Sequence, residues 1–438
     1  MPWWETALLL FAILAVLFAI GVPVAFSFLL LLIIGGFMFW GTNGLTLVIS
    51  SMYDSVATFN LLPVPLFVLM GEILFQSGMG FQLLDAIDKW VGKLPGRLSL
   101  VAVAGGTVVG TLSGSSMASA ALLGTVLMPE MEKRGYQKPM LLGPTMGAGG
   151  LATIIPPSGL AVLLGSVAAI PIGPLLISGF IPGLLLATFY ASYIILRSWL
   201  QPSIAPPYIA PSHSFMEKVT YTAKYLLPFA IIIFLVMGLI LLGVATPTES
   251  AAMGTLGSFI LAIAYRRLTW DVIKKSVFGG LQVTVMMFMI FTGSRGFSQI
   301  LAFSGASRGI VDFATSLPLT PIMLLIVMQL ILVVLGCLMD PVSMLMISMP
   351  IYMPIVQLLG FDLVWFGLLV LINLELAGKT PPFGFLLFLM KGISPPDTTM
   401  GDIYRSVTPF VLMELVTMGL IMAFPSLGLW LPSLMRQG

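Results

Sequence analysis

The fold is decided by a pair of short proline breaks inside apolar sequence. The first reads Ile154-Ile155-Pro156-Pro157-Ser158-Gly159, and the second reads Lys379-Thr380-Pro381-Pro382-Phe383-Gly384. Both prolines and the final glycine recur at an offset of 225 residues. Each proline removes a backbone donor and disfavours helix in the residue before it. The sequence therefore predicts two helices that are broken at corresponding places.

Composition places these breaks at membrane depth. The 438-residue chain is 58% hydrophobic and 8% charged, whereas water-exposed domains carry about 25% charged residues. Lipid cannot satisfy freed backbone groups, so a broken helix persists there only inside protein or beside a wet cavity. Paired broken helices in two corresponding halves are typical of the substrate and ion sites of secondary transporters. We therefore predict an all-α polytopic membrane protein that carries solutes.

Composition also limits the chemistry. The net charge of +2 is too small to indicate nucleic-acid binding, and the single cysteine, Cys337, rules out an internal disulfide. The single histidine, His213, lies in a polar linker, so neither a histidine-based metal site nor a serine–histidine pair is expected inside the membrane. No haem or transition metal is expected as a cofactor, and the chain is not expected to be an enzyme.

One short motif suggests a nucleotide site but does not complete it. Gly378-Lys379-Thr380 resembles the end of a phosphate-binding loop, but that motif needs a glycine where this chain has Asn373. Pro381-Pro382 also forbids the helix start that would hold the phosphate. We therefore expect no bound nucleotide.

Charge places the first repeated unit relative to the membrane, because basic residues concentrate on the cytoplasmic side. The apolar segment Leu98–Pro129 has basic residues beyond both ends, and its middle holds Ser113-Gly114-Ser115-Ser116. A segment that enters and leaves on one side has to turn back inside the membrane. We predict a re-entrant helical hairpin with the serine cluster at its tip. Close helix packing by small residues is the alternative role of this cluster, and a ligand-binding tip is favoured over it.

A second hairpin is predicted at Leu319–Leu359, with Gly336 and Asp340-Pro341 in its middle. It lacks a basic cluster at its ends, so it is expected to open to the outside. Hairpin, broken helix and return span thus occur twice with opposite sidedness, which is an inverted-topology repeat. Three spans before the cytoplasmic stretch Lys89–Arg97 place the N-terminus outside.

The repeat divides the chain into four parts. Residues 1–97 hold the N-terminal spans and an amphipathic arm, and residues 98–200 hold the first hairpin, broken helix and return span. Residues 201–318 hold a proline-rich cytoplasmic linker and central spans, and residues 319–438 hold the second hairpin, broken helix and last span. The second and fourth parts are expected to form a transport core, and the first and third its scaffold.

Charged residues inside apolar spans are costly and usually functional. The acidic ones are Glu72, Glu249, Asp340, Glu375 and Glu414. Thr246-Pro247-Thr248-Glu249 fits a capping box, so a structural role is favoured for Glu249. Glu375 lies one helical turn from Lys379, and the two are able to pair. For Arg295 two roles stay open, a substrate anchor and burial against a carboxylate or a helix end.

Eight short stretches carry a family resemblance: Gly110-Thr111-Leu112-Ser113-Gly114-Ser115-Ser116, Met128-Pro129-Glu130-Met131, Arg134-Gly135-Tyr136, Ile155-Pro156-Pro157-Ser158, Ala245-Thr246-Pro247-Thr248-Glu249, Asn373-Leu374-Glu375, Thr380-Pro381-Pro382-Phe383-Gly384 and Leu429-Trp430-Leu431-Pro432. Together they resemble the large membrane subunit of tripartite ATP-independent periplasmic (TRAP) transporters. The match covers essentially the whole chain, whereas any one stretch alone is not specific.

This resemblance implies an elevator-type secondary transporter in the bacterial inner membrane, with a periplasmic N-terminus, that imports a small organic acid on a sodium gradient. It implies a small four-helix membrane subunit and a periplasmic substrate-binding protein as partners, surrounded by membrane lipid. The stretch Lys391–Arg405 resembles the branch linked to 2-oxo acids, mannitol and chloroaromatic acids. Two alternatives stay open, a carrier coupled to protons through Glu72, Asp340 or Glu375, and a channel.

The family's sodium sites lie between each hairpin tip and its broken helix, largely through backbone carbonyls. Carried over, the first Na+ site falls at Ser113, Ser116, Ala152 and Ile155, and the second at Gly336, Asp340, Ala377, Thr380 and Phe383. Many relatives have glycine where this chain has Ala152 and Ala377, which changes how tightly the turn closes. Residues expected to contact the substrate are Ser115, Ser116, Pro157, Ser158, Asp340, Pro382 and Gly384.

Overall fold

The computed structural model describes residues 2–92, 94–207 and 214–435, and at positions 45, 47, 48, 112 and 113 it describes the backbone alone. Within these ranges the chain is helical and has no strand. His213, predicted to lie in a polar linker, falls outside the described residues.

The first half of the chain folds into eleven α-helices. They are α1 Trp3–Ala19, α2 Val24–Trp40, α3 Thr42–Val56, α4 Pro63–Gln76, α5 Met79–Val91, α6 Arg97–Ser113, α7 Ser116–Lys133, α8 Lys138–Ile154, α9 Gly159–Ala168, α10 Ile172–Ser178 and α11 Phe180–Leu200.

The second half continues with helices of very different lengths. They are α12 Phe215–Tyr221, α13 Leu227–Ile233, α14 Leu239–Leu241, α15 Pro247–Ala264, α16 Trp270–Phe303, α17 Ala306–Ser316, α18 Pro321–Gly336, α19 Pro341–Leu358, α20 Leu363–Lys379, α21 Phe385–Ile393, α22 Met400–Ala423 and α23 Ser426–Ser433. Two π-helical segments join α12, α13 and α14 into one apolar rod.

Helix boundaries repeat at the same offset as the proline motifs. Helices α7 and α19 begin and end 225 residues apart, and so do α8 and α20. Ile155 and Thr380, which follow α8 and α20, have nearly the same extended backbone, with φ −76° and ψ 122° against φ −81° and ψ 123°. Both helix breaks predicted from the prolines are therefore confirmed, because a residue before proline avoids the helical conformation.

Six helical stretches are long and apolar enough to cross a membrane, among the described residues. A seventh is formed by α8 and α9 taken together, which bend by 43° at the Pro156-Pro157 break. Helices α1, α2 and α18 are apolar but only 16 or 17 residues long, which is shorter than the roughly 20 residues of a perpendicular span.

The amphipathic pattern of the arm runs from Phe81 to Arg97 in the sequence. In the structure α5 covers its first part and ends at Val91, and Arg97 begins α6. Gly92, which follows α5, and Gly96, which precedes α6, both have positive φ, 65° and 69°, a conformation that glycine adopts without strain.

The two broken helices form the centre of the molecule. Helix α8 is buried without interruption from Met140 to Ile154, and α20 from Trp365 to Lys379. Helix α8 packs against α6, α7, α20 and α22, and α20 packs against α18 and α19 as well. Both helices are therefore enclosed by other helices and not by lipid. Outside this centre, α16 packs against α2, α3 and α4.

Candidate transport sites

In each half of the chain, a helix that ends near the predicted hairpin tip contacts the broken helix close to its break. The two contacts lie at nearly equivalent positions of the repeat. In the first half, a Cβ added to Gly110 of α6 would lie 3.1 Å from the Cβ of Ala152 in α8. In the second half, a Cβ added to Gly336 of α18 would lie 2.4 Å from the Cβ of Ala377 in α20. The helices approach closely because glycine faces alanine at both places. Ala152 and Ala377, where many relatives have glycine, thus each face a glycine on the opposing helix.

In the first set of predicted residues, Ser115 and Ser116 both form hydrogen bonds. The hydroxyl of Ser116 lies 2.7 Å from Thr153 Oγ1 and donates to Glu375 Oε2 at 3.1 Å. Ser115 caps α7 by accepting from the backbone N–H of Ala118 at 3.3 Å. The remaining members Ala152, Ile155, Pro157 and Ser158 are buried, whereas the side chain of Ser113 lies outside the described set.

Ser158, at the first break, is an N-cap residue, as Ser115 is at the start of α7. Its hydroxyl accepts from the N–H of Ala161 at 3.3 Å and so caps α9. A serine at an N-cap satisfies one donor of the helix start. The Pro156-Pro157 break is therefore followed at once by a capped helix, and its free carbonyls are those that end α8.

In the second set of predicted residues, Asp340 is a helix cap. Its two carboxylate oxygens accept from the N–H of Ser343 at 3.1 and 3.2 Å, and the hydroxyl of Ser343 donates to Oδ1 at 2.6 Å. The side chain of Asp340 thus begins α19. Beside it, Gly336 ends α18, and Ala377 is buried at the facing surface of α20.

The second break is more open than the first. Thr380 donates its hydroxyl proton to the carbonyl of Leu376 at 2.7 Å, which leaves the lone pairs of its oxygen available. The carbonyl of Pro382 accepts from the hydroxyl of Tyr404 at 2.9 Å. The N–H of Gly384 donates to the carbonyl of Thr380 at 3.1 Å, and the side chain of Phe383 is 59% exposed.

A buried charged triad, formed by Glu375, Lys379 and Glu414, lies between the two halves. The ammonium of Lys379 lies 2.6 Å from Glu375 Oε1 and also contacts Glu414 Oε1. All three residues are at most 3% exposed. The predicted pairing of Glu375 with Lys379 is confirmed. Two carboxylates and one ammonium give the triad a formal charge of −1 when all three are ionised.

Neutral hydroxyls surround this charged triad. Tyr190 of α11 donates to Glu414 Oε1 at 2.5 Å, and Ser116 of α7 donates to Glu375 as described. Oε2 of Glu414 has no hydrogen-bond partner within the described residues. The hydroxyls supply part of the stabilisation that a buried carboxylate requires.

Gly150 of α8 provides the space for the triad. A Cβ there would lie 1.4 Å from Glu375 Oε1 and 2.6 Å from the Nζ of Lys379. No side chain fits between α8 and the charged groups of α20. The sequence indicated Glu414 and the pair Glu375 and Lys379, but not that Lys379 contacts Glu414, and it gave no indication of Tyr190 or Gly150.

At the start of α8 a second ionic contact joins the two halves. Lys138 lies 2.9 Å from a carboxylate oxygen of Asp397 and 3.1 Å from one of Asp402. The hydrogen bond from Lys138 lowers the pKa of Asp397, which lies in the exposed segment before α22. This contact fixes the first turn of α8 to the start of the last long helix.

Two further charged residues singled out in the sequence, Glu249 and Arg295, have different environments. Glu249 forms the predicted capping box with Thr246, which is confirmed. Arg295 is exposed and lies over the ring of Phe291 at 5.5 Å. Of the two roles left open for Arg295, burial against a carboxylate or a helix end does not match this exposed position, where the neighbouring helices leave a cavity.

The helical fold has a counterpart among solved structures. The chain is similar to the YdaH transporter of Alcanivorax borkumensis, whose crystal structure is described as having an unusual topology, with a TM-score of 0.63 over 89% of each chain. At 12% sequence identity this likeness concerns the fold alone.

The family is given by the sequence. The family model for the tripartite ATP-independent periplasmic transporter, DctM component, matches residues 11–427, and the chain belongs to this family. It is 29% identical to the C4-dicarboxylate TRAP transporter large permease protein DctM of Pseudomonas aeruginosa, over 87% of this chain and 88% of that protein. It is 28% identical to the sialic acid TRAP transporter large permease protein SiaM of Vibrio cholerae, over 97% and 98%. The chain is accordingly a multi-pass membrane protein of a TRAP transporter.

Proposed function

We propose that the chain imports a small organic acid together with sodium, as the large membrane subunit of its transporter. The names of its relatives support an acid as substrate, since they include permeases for C4-dicarboxylates, sialic acid and 2,3-diketo-L-gulonate. A periplasmic binding protein delivers the acid, and a small four-helix membrane subunit completes the assembly. The N-terminus lies in the periplasm.

The observation that carries the proposal is the equivalence of the two helix breaks. Both end a central buried helix before a Pro-Pro pair, and both face a helix pair across a glycine–alanine contact. Carbonyls at such a helix end lack intrahelical partners and suit a monovalent cation better than a transition metal.

The proposed ligands follow this equivalence. One sodium ion binds at Ser113, Ser116, Ala152 and Ile155, and another at Gly336, Asp340, Ala377, Thr380 and Phe383. The acid contacts Ser115, Ser116, Pro157, Ser158, Asp340, Pro382 and Gly384 beside these ions. The caps made by Ser115, Ser158 and Asp340 support this arrangement, because each holds a helix start at the break or tip.

The proposed mechanism is an elevator movement of an inverted repeat. Residues 98–200 and 319–438, each with a re-entrant hairpin, move as the transport core, while residues 1–97 and 201–318 form the scaffold. The contact of α8 with α20 and the buried triad between the halves support a core that moves as one body.

Uptake into vesicles tests the proposal. The chain is reconstituted with both partner subunits, and accumulation of the acid is measured with sodium outside and potassium inside. We expect uptake that requires sodium and the binding protein. Uptake that persists without sodium and collapses with a protonophore contradicts sodium coupling and favours the proton-coupled alternative. Vesicles without the binding protein are the control.

A further inference from the structure

A cavity of about 600 Å³ lies at the exposed side chain of Arg295, away from both helix breaks. Its walls come from the segment before α4, from α9 and α10, and from the connection between α14 and α15. The lining residues are Phe59, Asn60, Pro63, Gly165, Ser166, Ala169, Ile170, Pro171, Ile172, Gly173, Pro174, Ile240, Gly243, Ala245, Thr246, Pro247, Thr248, Arg295 and Met435. Its volume is within the range of about 300–1,000 Å³ that holds small ligands.

The charge of this cavity has one sign. Arg295 is charged at every physiological pH, and none of the described lining residues is acidic. The nearest acid along the lining segment of α15 is Glu249, whose Oε2 accepts from both the N–H and the hydroxyl of Thr246 at 2.8 Å. A cavity lined by one cation and no carboxylate attracts anions.

Arg295 is positioned but has no ionic partner among the residues that the structure describes. Its guanidinium lies over the face of Phe291, and the structure gives it no salt bridge to a described carboxylate. A planar guanidinium presents paired N–H donors whose spacing matches the two oxygens of a carboxylate. The neutral side chains of Asn60, Ser166, Thr246 and Thr248 add polar groups to the wall.

The location distinguishes this cavity from the sites at the breaks. It lies between α9 and α10, which follow the first break, and the central helices α15 and α16. In the proposed division of the chain, one wall belongs to the transport core and the other to the scaffold. An anion bound at Arg295 would therefore meet both parts.

We propose that the Arg295 cavity is a carboxylate-binding vestibule, which holds the organic acid by its carboxylate before it reaches the breaks. The identity of the anion rests on the proposed function, whereas the anion-binding property of the cavity can be measured without transport. The guanidinium supplies the charge, and Phe291 fixes its position. The neutral lining does not discriminate between acids that differ beyond the carboxylate.

The test measures how fast a cysteine in the cavity reacts with charged reagents. Thr248→Cys is placed in a Cys337→Ser background, and the purified full chain is treated with a negative sulfonate and a positive trimethylammonium methanethiosulfonate in potassium buffer. The probes for occupancy are pyruvate and succinate at millimolar concentration, with succinamide as the uncharged control. Thr315→Cys, at an exposed position of α17, is the matched control.

We expect the ratio of the sulfonate rate to the ammonium rate to fall about tenfold in Arg295→Gln. One lost charge slows one reagent and speeds the other, so each rate needs to change only about threefold. Arg295→Lys should retain the ratio within about twofold. Arg308→Gln, on α17, should leave the ratio at Thr248→Cys unchanged, and Arg295→Gln should not alter labelling at Thr315→Cys.

Labelling in the presence of a soluble carboxylic acid distinguishes the proposal from its alternatives. Slower labelling with pyruvate or succinate, absent with succinamide and absent in Arg295→Gln, supports the proposal. A ratio that does not depend on Arg295 overturns it, and so does a retained ratio without protection by either acid. Protection by phosphatidylglycerol but not phosphatidylcholine nanodiscs, without protection by the soluble acids, assigns the cavity to a lipid headgroup instead. All of these outcomes are independent of sodium-driven uptake.

Discussion

Replacing Lys379 by methionine removes the cation of the buried charged triad. Glu375 and Glu414 then remain buried beside each other, and their formal charge changes from −1 to −2. Breaking a buried ion pair by removing one partner costs about 3–5 kcal/mol. We therefore expect Lys379→Met to lower the free energy of unfolding by about that amount.

Removing one carboxylate should cost much less. In Glu414→Gln, Lys379 keeps Glu375 at 2.6 Å, the formal charge becomes zero, and the amide oxygen still accepts from Tyr190. The loss is then close to the net contribution of one hydrogen bond, about 1 kcal/mol. The reasoning thus predicts an asymmetry between two residues that touch each other.

Unfolding in mixed micelles with increasing dodecyl sulfate, followed by tryptophan fluorescence, measures the difference. The matched control is Lys275→Met, because Lys275 lies 2.8 Å from Asp271 with the same four-residue spacing on an exposed helix turn. Exposed pairs contribute about 0–1 kcal/mol, so this variant should unfold nearly like the parent.

The double variant Lys379→Met with Glu414→Gln completes the cycle and should recover part of the loss, because only Glu375 then remains charged. The electrostatic account of the triad is refuted if Glu414→Gln is as costly as Lys379→Met. An unaltered stability in Lys379→Met refutes it equally.

Three further predictions concern the space around the triad, the second break and the topology. Gly150→Ala should destabilise the chain strongly, since its methyl would overlap the triad, whereas Gly419→Ala, which has open space around its Cβ, should be neutral or stabilising in the same unfolding assay. Thr380→Val should weaken the apparent sodium affinity of uptake about fivefold to a hundredfold, from the loss of a proposed ligand worth about 1–3 kcal/mol; an unchanged sodium dependence with normal assembly shows that the hydroxyl is no ligand. Cysteines at the exposed positions Gln137 and Ser316 should label from the cytoplasm and the periplasm respectively, and labelling of both from one side contradicts the inverted repeat.

Local sequence was sufficient to predict the features that depend on neighbouring residues. The two helix breaks follow from consecutive prolines, the cap at Thr246 from a four-residue pattern, and the pairing of Glu375 with Lys379 from helical spacing. Each of these depends on backbone geometry within about one or two turns, which tertiary packing did not alter.

Features that depend on helix docking were not predictable in this way. Tyr190 meets Glu414 only because α11 packs against α22, across 224 residues of chain. Arg295 is exposed because the surrounding helices leave a cavity, which no spacing in its own helix indicates. The caps at Ser158 and Asp340 had a local signal, since each starts the helix that follows a break or tip.

The spacing of the triad has a consequence for biogenesis. Glu375 and Lys379 neutralise each other within α20, so this helix can leave the translocon with its charges already matched. Glu414 arrives on a later helix, and its partners all lie on segments made before it. Because the described partners of Glu414 lie on α11 and α20, we expect α22 to dock after these two helices have been inserted. Chains truncated before residue 400 would then retain a neutral α20 with an exposed polar face, a natural target for membrane quality control.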